Sequence, residues 1–132
     1  TNMGVESYLV AGVLRGVIAQ RLLRTVCDEC GAERAITSDE RLLWDRAAAP
    51  ALVPDAVGCR TCRSTGYRGR TAVAEIVTVD PVLGRLIVEG SDTSVLSAHL
   101  ETLGFRPLAA EGLARVADGA TTIREVQRIG MV

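Results

Sequence analysis

The sequence predicts a mainly α-helical fold that carries a small four-cysteine lobe and one short β element. Three observations predict it. Apolar residues recur at helical spacing in several stretches, bracketed by cap residues and closing glycines. The four cysteines fall into two C-x-x-C pairs, Cys27/Cys30 and Cys59/Cys62. Residues 70–79, RTAVAEIVTV, are β-branched and partly alternating, the pattern of a strand. Hydrophobic residues make up 48% of the 132 positions, enough for a core without disulfides, and aromatics only 3%, so that core is expected to be aliphatic.

Val5, Leu9, Val13 and Val17 recur about once per turn, with Leu14, Ile18 and Leu22 widening the stripe, so residues 5–26 are expected to form one helix. Gly12 and Gly16 lie four apart inside it and point to close helix packing; Arg15 between them argues against a membrane dimer motif. Cys27 and Cys30 follow directly. Thr37 and Glu40 have capping-box spacing, opening a short helix that should run to about Ala48. Pro50 and Pro54 then mark a loop, and residues 59–69 a second one in which Gly66 and Gly69 permit a sharp turn.

After the strand, Asp80-Pro81 supplies a cap and then proline at the first helical position, and Gly90 stops that helix. Further helices should cover residues 93–103, closed by Gly104, and 108–118, closed by Gly119. A second capping box, Thr122 with Glu125, should open a last short helix through about Ile129. These C-terminal helices are expected to form one compact bundle. The division that follows is 1–26 helical, 27–69 the cysteine lobe, and 70–132 strand plus bundle.

Composition narrows the chemistry. The net charge of −1 gives no broad field for nucleic acid or an anionic membrane. All fifteen basic residues are arginine; without lysine there is no Schiff-base chemistry and no G-x-x-x-x-G-K-[ST] phosphate loop. His99, the sole histidine, falls mid-helix and is expected to be a surface or partly packed residue. No nucleophile–base pair stands out, so no catalytic residue is assigned. The longest uncharged run near the start, residues 7–14, is far too short to span a bilayer, so a cytosolic, reducing setting is expected.

In that setting four cysteines point to metal rather than disulfides. Each C-x-x-C can form a tight knuckle presenting two thiolates, and two knuckles make the closed tetrahedral site of structural zinc, with Cys27, Cys30, Cys59 and Cys62 as ligands. A redox pair, an iron–sulfur cluster and disulfides are the other chemistries open to four cysteines. The 28 residues between the pairs exceed the usual ribbon spacing, so a looped-out insert is expected, with Trp44 as its apolar plug. Four thiolates on zinc carry net negative charge, which Arg60, Arg63, Arg68 and Arg70 can offset.

With these residues laid out, the chain resembles the C-terminal part of the ATPases that drive type II secretion and type IV pilus assembly, members of a superfamily of RecA-like hexameric motors. The resemblance rests on MGVESYLVAGVLRGVIAQRLLRTVCDEC, GCRTCRSTGYRGRTAVAEIVTVD and EGLARVADGATTIREVQRI, in that order over almost the whole chain. It implies a fragment of an α/β motor: residues 1–26 would end the RecA-like core, and the Walker and histidine motifs would precede residue 1. It implies zinc on the four cysteines, with ATP and magnesium bound only in the full-length motor. Gln20 and Arg21 would lie in the helix bearing AQRL, and Arg68 and Arg70 near the nucleotide cleft or a subunit interface. Neighbouring ATPase subunits and inner-membrane platform proteins would be partners, on the cytoplasmic side and with no transmembrane segment. Arg115 stands where many members have lysine, and TAVAE replaces the commoner TGIYE. Retraction ATPases generally lack the cysteine module, which favours the secretion or pilus-extension branch. Glu75 is expected to pair with a nearby arginine.

Other functions fit less well. A free-standing zinc ribbon binding nucleic acid or protein lacks aromatic–basic interleaving for the former role. A chaperone-type cysteine repeat, C-x-x-C-x-G-x-G, is mismatched because Gly66 stands four positions after Cys62.

Overall fold

The N-terminal stretch does not form one helix. In a computed structural model that describes residues 4–44 and 49–130, helix α1 covers Ser7–Val13 and strand β1 covers Gly16–Val26. The apolar spacing over residues 5–26 suits a helix, but Val17, Ile18, Thr25 and Val26 are β-branched and favour a pleated surface. Pairing with a distant strand decides between them: β1 pairs with β4, Tyr67–Thr78. Gly16 serves that approach, since a Cβ there would lie 2.9 Å from the Val77 carbonyl oxygen, whereas Gly12 has nothing within 4 Å. The expected helix–helix contact at these glycines is therefore a strand contact at one of them.

Strands β2, Gly31–Ala35, and β3, Leu52–Ala56, form a second two-stranded sheet, antiparallel, in register from Gly31 opposite Ala56 to Ala35 opposite Leu52. Pro54, expected in a loop, is in β3 opposite Glu33. A strand in a two-stranded sheet needs ladder bonds on one side only, so proline is tolerated. The fold is thus mixed α/β, not mainly α. Helix α2 is the single turn Ser38–Arg41, with both halves of the Thr37/Glu40 capping box formed. It stops earlier than expected, with Leu42 as its C-cap; the expected end at Ala48 lies outside the described residues.

The remaining helices follow their cap signals. Helix α3, Pro81–Glu89, starts at Asp80, whose side chain accepts from the Leu83 N–H, and ends at left-handed Gly90. Helices α4, Thr93–Thr102, α5, Leu108–Ala117, and α6, Ile123–Arg128, complete the chain. They do not make one bundle. The described residues divide into two compact units, one of residues up to Ala19 with Glu75–Arg106, the other of Gln20–Ala74 with Pro107 onward. In the first, α3 packs on α1 and α4. Its buried apolar side chain is Leu83, and His99 Nε2 on α4 meets the Asp80 carboxylate at 3.0 Å. No helix is long and apolar enough to cross a membrane.

The second unit holds the core: Leu23, Ile36, Val53, Val73, Val116, Ile123 and Val126 are buried together, and Trp44, expected to plug the insert alone, packs against this shared cluster. Glu125 lies in the same interior, with no exposed surface. Its carboxylate accepts from the Arg24 backbone N–H at 3.1 Å, from Arg24 Nε and Nη2 at 2.9 and 2.7 Å, and from Arg128 Nε and Nη2 at 2.8 and 2.7 Å. Thr122 caps α6 by accepting from the Glu125 N–H, but the glutamate does not reach back as a capping box requires. Its oxygens are committed to the arginines instead.

Burial pushes the Glu125 carboxyl up, and the hydrogen bonds from Arg128 and Arg24 outweigh it, holding it at about 2 against an ordinary 4.5. A carboxylate depressed in the folded state contributes stability above its unfolded value and loses it as pH falls towards the folded one. Glu125→Gln is expected to cost about 2 kcal/mol at pH 7, since the exposed sides of both arginines can rehydrate. Denaturant melts should show the gap from wild type narrowing between pH 4.5 and 2. A gap independent of pH over that range would assign the loss to packing.

Candidate metal centre

The β2–β3 ladder explains how two cysteine pairs so far apart in sequence meet. It begins at Gly31, directly after Cys30, and returns at Ala56, three residues before Cys59. The long insert is therefore a folded arm whose two ends are held in register. On the β1 side, the Cys27 N–H donates to the Gly66 carbonyl at 2.9 Å, while Cys30 and Gly31 N–H donate to the Cys27 carbonyl at 3.2 and 2.7 Å. On the β4 side, the Ser64 N–H donates to the Cys59 carbonyl at 2.7 Å. Arg63 and Ser64 there adopt left-handed backbone, with φ of 54° and 60°.

Gly66 closes this second turn. Its φ is +76°, and a Cβ would lie 2.6 Å from the Ala56 carbonyl carbon, so no larger residue fits. That close approach lets the Gly66 N–H donate to Cys62 Sγ at 3.2 Å, alongside the Cys59 N–H at 3.1 Å.

The four sulfurs all lie within 4.8 Å of one another. Cys62 Sγ is 3.7 Å from Cys30 Sγ and 3.8 Å from Cys59 Sγ. A disulfide needs about 2.05 Å. Tetrahedral zinc with Zn–S bonds of about 2.3 Å puts its sulfurs about 3.8 Å apart. Cys27 and Cys62 are buried and Cys30 and Cys59 half-buried, which gives the cluster an enclosed side and a lip. Backbone N–H groups stabilise the thiolate at Cys62, first that of Cys59, and bring it down to about 6; Cys59 is lowered too, chiefly by the Cys62 N–H. Burial, with the neighbouring sulfurs, pushes Cys30 up to about 12. Four thiolates this close repel each other, so all four ionise together only around a cation. The donor set therefore fits a divalent soft metal.

The arginines separate. Arg60 and Arg63 sit exposed on the second knuckle, and Arg68 and Arg70 are exposed on β4. The Arg68 carbonyl accepts from Thr25 Oγ1, which ties β4 to β1. Arg70 lines a cavity of about 310 Å³ with Leu22, Arg24 and Arg128 and with none of the cysteines. Gln20 and Arg21, expected on a helix, are exposed on β1. Sequence reasoning missed the role of Glu125 and its arginines. The i, i+3 spacing of Glu125 and Arg128 was the available signal, while Arg24 stands 101 positions away.

The chain matches the family described as Type II/IV secretion system protein over residues 1–128. It is 36% identical to a type IV pilus assembly ATPase PilB of Acinetobacter baylyi, covering 97% of this chain and 23% of that protein. It is 34% identical to the type II secretion system ATPase E of Vibrio cholerae, covering 97% of this chain and 25% of that one. The corresponding figures for PilB of Myxococcus xanthus are 37%, 95% and 23%. The chain spans about a quarter of the length of these curated relatives.

Replacing Cys59 with serine removes one of four sulfurs and leaves a weaker oxygen donor. Retention of a bound divalent metal through dialysis against a chelator should fall at least about tenfold, and the melting temperature of the metal-loaded chain should drop with it, because binding and folding are coupled. Equal retention by Cys59→Ser and wild type would remove Cys59 from the ligand set.

Proposed function

The chain belongs to the type II/IV secretion system protein family, and from that membership we propose that it is the zinc-binding C-terminal module of a hexameric motor for type II secretion or type IV pilus extension. The convergence of four sulfurs within 4.8 Å of one another, in a chain similar to such ATPases, carries the reading. Zinc bound by Cys27, Cys30, Cys59 and Cys62 would act structurally, cross-linking the ends of the β2–β3 arm without offering an open position to substrate. The protein's own part is to hold β1 and β4 in a fixed relation beside that cross-link.

In the motor, ATP and magnesium bind to segments outside this chain. Arg68 and Arg70, on a strand anchored at one end by the knuckle, face the nucleotide cleft or a neighbouring subunit. Coupling then runs from hydrolysis through subunit contacts to inner-membrane platform proteins on the cytoplasmic face.

Three measurements test this reading. Elemental analysis of the purified chain should give one zinc per chain; iron, or no metal, overturns the structural-zinc assignment. A phosphate-release assay should show no ATP turnover by the chain alone, because lysine is absent and no phosphate loop can form. Turnover that survives repurification refutes that. In the full-length motor, Arg70→Ala should lower ATPase rate or hexamer content by about tenfold while zinc content stays unchanged. A motor that keeps rate and assembly leaves Arg70 without this role.

A further inference from the structure

The four sulfurs of the metal centre are not equivalent. Cys27 has no exposed surface and Cys62 is buried, while Cys30 and Cys59 stand half-exposed at the lip. Cys62 Sγ lies 3.7 Å from Cys30 Sγ and 3.8 Å from Cys59 Sγ, so one buried sulfur adjoins both of the accessible ones. It is also held in place, because the Cys59 and Gly66 N–H groups donate to it at 3.1 and 3.2 Å. A small solute therefore meets Cys30 or Cys59 first, and each has the same sulfur directly behind it.

That placement suits an attacking and a resolving thiol. The oxidant class that fits is a hydroperoxide, small enough to reach the lip. A lip thiolate attacks one oxygen of hydrogen peroxide, the O–O bond breaks, and the sulfur becomes a sulfenic acid while hydroxide leaves. The Cys62 thiolate then attacks the sulfenic sulfur, the S–S bond forms, and a second hydroxide leaves. Two protons from solvent turn the hydroxides into water. The two sulfurs together give up two electrons, which the peroxide bond takes. To join, they close from 3.7 or 3.8 Å to about 2.05 Å. Neither is then a thiolate donor, and the two cysteines left over no longer make the closed four-sulfur set that structural zinc takes.

We infer that the cysteine cluster is a peroxide-responsive thiol switch, in which Cys30 or Cys59 takes the oxidant, Cys62 closes the disulfide and Cys27 stays reduced. The inference rests on the zinc reading above only for the release of metal; the choice of sulfurs stands on their spacing and burial.

The test treats the metal-loaded chain with hydrogen peroxide beside a chromophoric zinc chelator, alkylates the thiols that remain, and maps disulfides by peptide mass spectrometry. Alkylated thiols should fall from four to two, and zinc should pass to the chelator in step with that loss. The disulfide should join Cys62 to Cys30 or Cys59, and dithiothreitol with added zinc should restore the thiols and the metal. In Cys62→Ser no resolving sulfur remains, so a sulfenic acid should accumulate on Cys30 or Cys59 and be trapped by dimedone. That variant also lacks a metal ligand, so the map of the wild-type chain is decisive. A disulfide that contains Cys27, a bridge between two chains, or four thiols surviving peroxide overturns the inference. Zinc content before peroxide is read separately. A chain purified without zinc fails the structural-zinc reading, and the same thiol count and map still decide the switch. A chain that holds its zinc through peroxide fails the switch alone.

Discussion

Glu125 has no water to solvate it, so its charge has to be met inside the protein, and Arg24 and Arg128 meet it from β1 and α6. That requirement docks the strand leading to Cys27 onto the last helix. Neighbouring backbone bonds run the same way: Val26 N–H donates to the Ala120 carbonyl at 3.0 Å, and Thr121 Oγ1 to the Arg24 carbonyl at 2.7 Å. An isolated buried carboxylate would be costly, and breaking this one leaves paired groups stranded. The position of the first cysteine pair therefore follows from an interaction at the far end of the chain.

The second cysteine pair is placed by sterics. Only glycine at position 66 can pass this close to Ala56, where a Cβ would clash, while aiming its N–H at Cys62. The β2–β3 ladder then sets the distance between the knuckles, because its register begins and ends beside them. A salt bridge between Arg34 and Glu40, 2.7 Å from Arg34 Nη1 to Glu40 Oε2, fastens α2 to β2 within that arm. Arg34's hydrogen bond outweighs the opposing effect of burial and holds Glu40 at about 2, so the arm and the Glu125 junction lose charge pairing over the same acid range.

The same junction shapes the arginine cavity. Holding Arg24 against Tyr67 and Glu125 costs side-chain freedom on folding. Arg70, on the pairing strand, is exposed. Arginines that look alike in sequence thus divide between pairing with a buried carboxylate and exposure on the strand.

The sequence by itself determined what depends on neighbours along the chain. Asp80-Pro81, Gly90, Gly104, Gly119 and Thr122 marked helix ends correctly because caps satisfy backbone groups within four residues. The two C-x-x-C pairs marked the site because each knuckle is local. Tertiary structure decided the rest. Residues 16–26 became a strand since β4 offered a hydrogen-bonding partner that no local pattern reveals, and Pro54 joined a strand because only one of its edges is used. Glu125 could be read as half of a capping box from its spacing to Thr122. Burial beside Arg24 changed its partner, because a charge without solvent takes the strongest donor in reach, wherever that donor lies in the sequence.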